Sequence, residues 1–116
     1  MSEWKPHMTL AMQLVLGSLL ADPQTPRYGL EIGREVRLSS GSISPILARL
    51  KTHGWVTSTW EDIDPVTEKR PRRHLYRLTE VGLEATKPYG HELLVRIYRQ
   101  MAAVSVGLQE ETALAP

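Results

Sequence analysis

Cysteine is absent from this 116-residue chain, which removes disulfide staples, thiolate zinc sites and thiol nucleophiles together. Its absence suits a reducing, cytoplasmic setting. Long apolar runs are missing as well: Met8 to Ala21 is the longest, and it falls short of the roughly 20 residues needed to cross a bilayer. Pro6, His7 and Gln13 break the pattern of a secretory leader, so no membrane association is expected. No Gly-rich phosphate loop or nucleophile signature is present, and His7, His53, His74 and His91 show no metal-ligand spacing. Glu61, Asp62 and Asp64 lack the further ligands of a calcium loop and read as a solvated turn. These absences leave no reaction to assign: no enzyme, no cofactor and no metal are expected.

What is present resembles an ordinary folded domain. Hydrophobic residues make up 41% and charged residues 23%, close to globular averages, and the length suits one small domain with an appended helix. The net charge of +1 would not by itself suggest a nucleic-acid binder, but its distribution matters more than its sum. No acidic residue occurs from Val36 to Trp60, where Arg37, Arg49 and Lys51 supply positive charge. An acidic group, Glu61, Asp62, Asp64 and Glu68, then precedes a basic burst of Lys69, Arg70, Arg72, Arg73 and Arg77.

Met8 to Ala21 is a helix-forming run that Asp22, Pro23 and Pro26 terminate. Its apolar residues lie on nearly every face, so it is either central to the domain or meets another chain. Tyr28 to Val36 forms a second, short helix with Tyr28, Ile32 and Val36 on one face and Gly33 permitting close approach of a neighbour. After Arg37 to Ser40, a third helix places Ile43, Ile46, Leu47 and Leu50 at i, i+3, i+4 and i+7, one buried stripe. Ser39, Ser40, Ser42 and Ser44 are candidate N-caps and Gly54 is the stop. Pro45 belongs in a first turn, so this helix starts within 40–44.

Two helices joined by a tight turn, the second with a small polar N-terminus, make a helix-turn-helix. Trp55 to Trp60 and His74 to Leu78 read as strands, joined by a long loop containing Asp64-Pro65 and Arg70-Pro71. Thr79 caps a further helix that Pro88 breaks. Leu94, Ile97, Met101, Val104 and Leu108 then follow alternating three- and four-residue steps, the seam of a coiled-coil-like helix. The expected fold is mainly α with a small β-hairpin: a winged helix-turn-helix over 1–86, a C-terminal dimerisation helix over 87–110 and a flexible tail over 111–116.

Three ordered blocks carry a family likeness. They are Tyr28-Gly29-Leu30-Glu31-Ile32, then Ser40-Gly41-Ser42-Ile43-Ser44-Pro45-Ile46-Leu47-Ala48-Arg49-Leu50 with Gly54-Trp55-Val56, and Tyr76-Arg77-Leu78-Thr79-Glu80-Val81-Gly82. From about Leu10 to Ala85 the chain resembles PadR-type transcriptional regulators. The resemblance implies a winged helix, dimerisation through the first and C-terminal helices, operator binding and relief by a small-molecule effector. Where such proteins commonly carry a DNA-holding tyrosine before the recognition-helix proline, this chain has Ser44. Stacking is lost there, so relatives do not supply the operator sequence.

The expected partner is therefore double-stranded DNA, bound by a homodimer that acts as a repressor on an inverted-repeat operator. Ser39, Ser40, Ser42 and Ser44 at a helix N-terminus suit phosphates or base edges, with capping as their other reading. Arg49 and Lys51 flank the buried stripe within reach of phosphate or guanine, and Tyr28 joins the same set. Lys69, Arg70, Arg72 and Arg73 lie on the wing, where they contact the backbone or minor groove unless the neighbouring acids pair with them. Glu61, Asp62 and Asp64 are expected at the base of the wing, away from phosphate. Met8, Met12, Leu16, Leu94, Ile97, Met101, Val104 and Leu108 are the expected dimerisation residues. Trp4, Met8, Met12 and Met101 offer material for an apolar effector pocket as well as for plain packing. The rival reading is a winged-helix docking module that binds protein and not DNA.

Overall fold

The hydroxyl of Thr9 accepts a hydrogen bond from the Met12 N–H at 3.1 Å and so starts helix α1, Leu10–Ala21. The computed structural model describes the backbone of residues 4–114 and the side chains of residues 4–107. Of the two readings open for α1, the structure takes the central one: Met12 and the whole run from Leu14 to Leu20 are buried. What buries them includes the chain's own last helix, α6, His91–Leu114. The crossing is possible because residue 17 is glycine. A Cβ there would lie 2.2 Å from the Leu94 carbonyl oxygen and 2.7 Å from the Tyr98 Cβ, distances that no side chain tolerates.

Strand β1, Arg27–Tyr28, follows α1 and pairs antiparallel with β3, His74–Leu78. The sheet therefore has three strands in the order β1-β3-β2, with β2 spanning Val56–Trp60, where the sequence suggested only the β2–β3 hairpin. Tyr28 belongs to this strand and caps α2, Gly29–Val36, so the helix starts one residue later than its periodicity suggests. Arg37 ends α2 in the left-handed region (φ 61°), and the Leu38 N–H bonds to the Gly33 carbonyl at 2.9 Å. The turn folds over Gly33, where a Cβ would meet the Leu38 carbonyl oxygen at 2.5 Å.

Helix α3, Ser40–Thr52, buries Ile43, Ile46, Leu47 and Leu50 as their spacing requires. Pro45 is its sixth residue, in the second turn and not the first, so the helix runs on without the N–H that would have bonded Gly41. Gly54 (φ 76°) stops it, and the Trp55 N–H closes on the Leu50 carbonyl at 2.9 Å. Trp55 is a core residue ahead of β2. Within the wing loop Asp64 caps one turn of helix, α4, Pro65–Glu68.

Thr79 caps α5, Glu80–Thr86, and its hydroxyl also donates to the Gly54 carbonyl at 2.6 Å, tying the end of the wing to the end of α3. A tight turn over Lys87–Tyr89 follows, in keeping with Pro88 as a breaker. Helix α6 continues through Leu114, past residue 110 where the sequence suggested a loose tail. Its 24 residues span about 36 Å. The face it turns to the body of the molecule carries Leu94, Tyr98 and Ser105 buried, with Met101 and Ala102 partly so.

Candidate nucleic-acid interface

The outward face of α3 is free. Ser40, Ser42, Ser44, Arg49 and Lys51 are exposed, as is Ser39, which precedes the helix. Ser39 makes no side-chain cap bond; its hydroxyl lies 3.3 Å from that of Ser42. The helix N-terminus thus keeps unpaired N–H groups beside small hydroxyls, an arrangement that receives phosphate oxygens or base edges. Arg49 and Lys51 make no ion pair among the described residues, so their charge is available to a ligand.

The wing treats its basic residues unequally. Arg70 is clamped in a two-pronged pair by Glu61, Nη1 to Oε1 at 2.6 Å and Nη2 to Oε2 at 3.0 Å. Glu61 also accepts from the Arg73 backbone N–H at 3.3 Å. The Arg70 hydrogen bonds, with the Arg73 N–H behind them, hold the Glu61 carboxyl below the usual carboxylate range despite its partial desolvation, and raise the Arg70 guanidinium. Glu61 is therefore no bystander at the base of the wing. Arg72 spends only its Nε, on the Ile63 carbonyl at 3.0 Å. The Arg73 guanidinium sits 4.3 Å from the centre of the Tyr28 ring, so the tyrosine is brought to the wing as a support for an arginine. Lys69 is exposed and left-handed (φ 56°) where α4 ends. Trp60 stacks on His74 at 3.9 Å near the outer end of the hairpin.

The expected dimerisation set divides. Met12, Leu16 and Leu94 are 3%, 0% and 2% exposed, consumed by packing of α1 on α6 within one chain. The expectation that these three residues face a second copy is thereby corrected. Met8, Ile97 and Met101 are partly buried against the same core, Val104 is 55% exposed, and the Leu108 side chain lies outside the described residues. Trp4 stacks on His53 at 4.0 Å and meets Trp55 edge-on, at the end of α3.

One cluster escaped the sequence reading. Arg27 donates from Nε to Glu31 at 2.7 Å, pairs with Glu35, and donates from Nη1 to the Tyr98 hydroxyl at 3.1 Å and the Ser18 carbonyl at 3.3 Å. Tyr98 in turn donates to Glu35 at 2.7 Å. Burial disfavours the Arg27 charge, but the Tyr98 and Glu31 hydrogen bonds outweigh it and the pKa ends above its ordinary value. The four-residue spacing of Arg27, Glu31 and Glu35 was the available signal. Among the described residues no group of His, Cys, Asp and Glu could hold a metal ion, and no helix is long and apolar enough to cross a membrane.

Comparison with known proteins agrees with this geometry. The model of the transcriptional regulator PadR-like family matches residues 15–88. Among solved structures, the circadian clock associated protein Pex from Anabaena shares the fold at TM-score 0.57 and 18% identity, with 84% of this chain and 81% of Pex covered. The PcaV transcriptional regulator from Streptomyces coelicolor, in complex with its natural ligand, gives a TM-score of 0.52 and 25% identity over 94% of this chain and 62% of PcaV. Reduced AbfR bound to DNA gives 0.54 and 26% identity over 80% of this chain and 56% of AbfR. The chain thus spans less than two thirds of PcaV and of AbfR. A sequence comparison with curated proteins returned no match.

Proposed function

The chain belongs to the PadR-like family of transcriptional regulators, a DNA-binding winged-helix family, and on that footing we propose that it is a homodimeric repressor of an inverted-repeat operator. Helix α3 reads the major groove through Ser39, Ser40, Ser42, Ser44, Arg49 and Lys51. Lys69 and Arg72 follow the phosphates, and Arg73 does so from its seat on Tyr28. The carrying observation is the exposed, unpaired face of α3, with its small-hydroxyl N-terminus and free Arg49 and Lys51. AbfR, 26% identical, was solved bound to DNA, which supports the same use of the fold.

With Met12, Leu16 and Leu94 in the chain's own core, the dimer uses what α6 leaves outside. Leu93 and Val104 are exposed and Ile97 partly so, at i, i+11 and i+4 of one helix. Two copies related by a two-fold axis then present recognition helices to half-sites about one DNA turn, or a multiple of it, apart. Repression follows from promoter occlusion in the cytoplasm, and a small-molecule effector relieves it.

Selection of bound duplexes from a random pool by the purified full chain tests the reading. An inverted repeat with that half-site spacing is the expected product. The exposed Trp60 and Val66 on the wing favour a second reading, docking to a protein. A pool that stays random, together with salt-insensitive behaviour on duplex DNA, would establish it instead.

A further inference from the structure

Among the described residues four hold their backbone in the left-handed region: Arg37 (φ 61°), Lys69 (φ 56°), Gly54 (φ 76°) and Gly90 (φ 85°). Glycine takes this conformation without strain, whereas a residue with a Cβ is disfavoured there. Crowding does not force the two glycines. A Cβ at Gly54 would meet nothing within 4 Å, and one at Gly90 only the Leu93 Cβ at 3.6 Å. At those two turns the chain uses glycine for its φ alone. At the other two it keeps a cation: Arg37 closes α2 and Lys69 closes α4, each at the position after a helix where glycine is the usual residue.

Neither cation is held by the fold. Both side chains are exposed, and neither makes an ion pair or hydrogen bond among the described residues. Arg27 and Arg70, by contrast, are each bound by a carboxylate. What the two left-handed cations share is their place. Lys69 stands in the wing loop, and Arg37 lies in the turn between α2 and α3, two residues before the exposed Ser39, so that the two Cα atoms are within about 8 Å. A cation exposed beside α3, in a backbone conformation that favours its replacement by glycine, has its use outside the fold. We propose that Arg37 contacts a DNA phosphate from the turn of the helix-turn-helix, with the left-handed Lys69 as its counterpart on the wing. The inference rests on the DNA-binding reading and adds to it a residue that belongs neither to the α3 face nor to the wing. Its rival is local: a positive charge at the end of α2 also favours the negative end of that helix's dipole.

The test measures the affinity of the full chain for a fluorescent mixed-sequence duplex of about 30 base pairs over a range of salt, together with the denaturation midpoint of the same samples. Arg37→Gly lowers the slope of log affinity against log salt by about one unit for each subunit bound, and does not lower the midpoint. Arg37→Lys restores the slope, because a phosphate contact of this kind is read as charge. Lys87→Ala removes an equal charge from the turn ahead of α6 and leaves the slope where it was. A slope unchanged by Arg37→Gly, with a lowered midpoint, would assign the arginine to the helix dipole and overturn the contact. An equal loss of slope in Lys87→Ala would overturn it too, since the slope would then report net charge alone. A parent chain with no salt-dependent binding to the duplex loses the DNA reading and Arg37 with it, whereas one that binds with a slope indifferent to Arg37 keeps that reading and loses only this contact.

Discussion

Glu61 decides how much of the wing's charge reaches a ligand. Because it neutralises Arg70, while the two terminal nitrogens of Arg72 bond none of the described residues, the two arginines should behave differently on DNA. Arg72→Ala lowers the slope of log affinity against log salt by about one unit, and Arg70→Ala leaves the slope nearly unchanged. Equal losses from both would mean that the Glu61 clamp opens on DNA. The same pair predicts a pH effect of known sign. The Glu61 pKa is depressed in the fold, so its contribution is intact above the ordinary value of 4.5 and is lost as pH falls through the lower folded value. Asp64 runs the same way, held down by the Thr67 hydroxyl and then the Val66 N–H. The Arg73 amide signal should therefore stay constant on acidification to about pH 4.5 and the Val66 signal to about pH 3.8, each moving only below its own point; movement of the Arg73 signal well above pH 4.5 would show the clamp to be absent in solution.

The crossing of α1 and α6 is the element contact on which most depends. Gly17→Ala places a methyl 2.2 Å from the Leu94 carbonyl, against backbone that has no rotamer to yield. We expect a loss of about 1–3 kcal/mol in chemical denaturation, the usual cost of overpacking; unchanged stability would mean that the helices do not meet there. Tyr98→Phe keeps the packing but removes the hydroxyl between Arg27 and Glu35, at a cost of about 1.5–3 kcal/mol for bonds to charged groups. Elements with a strong local signal were legible in the sequence: α3 from its four-residue apolar stripe, the wing from alternating strands, and the cap at Thr79. Strand β1 was not, since two residues carry no periodicity and are defined only by distant β3. Helix α6 was legible as a helix but not in its orientation. Leu94, Ile97, Met101 and Val104 fit three- and four-residue steps as well as the observed Leu94, Tyr98, Met101 and Ser105 do. The choice between them lay in Gly17, a residue whose role is to have no side chain. At the candidate interface the serines of α3 could be found from the N-terminus they occupy, but the pairing of Glu61 with Arg70 needed the closed wing.

At the scale of the whole chain, the winged helix and the C-terminal helix share one core. Leu94 and Tyr98 complete the core around α1, and each large core side chain is worth about 2–5 kcal/mol. Removing both, with the partly buried Ile97 and Met101, approaches the total stability of about 5–15 kcal/mol that a domain possesses. Truncation after Tyr89 should therefore abolish cooperative thermal unfolding followed by circular dichroism, and not merely separate a dimer into folded monomers. A truncated chain that still melts sharply near the parent temperature would return α6 to the role of an appendage. The two residues of β1 also set how motion passes through the molecule. Arg27 is anchored to α6 and Tyr28 to the wing, so the fastenings lie on adjacent Cα atoms about 3.8 Å apart. A linkage one peptide plane long has no slack, and a rocking of α6 that displaced Arg27 would turn the plane on which the wing arginine rests. The C-terminal helix and the wing should then share a single exchange rate in relaxation-dispersion measurements, as two ends of one lever.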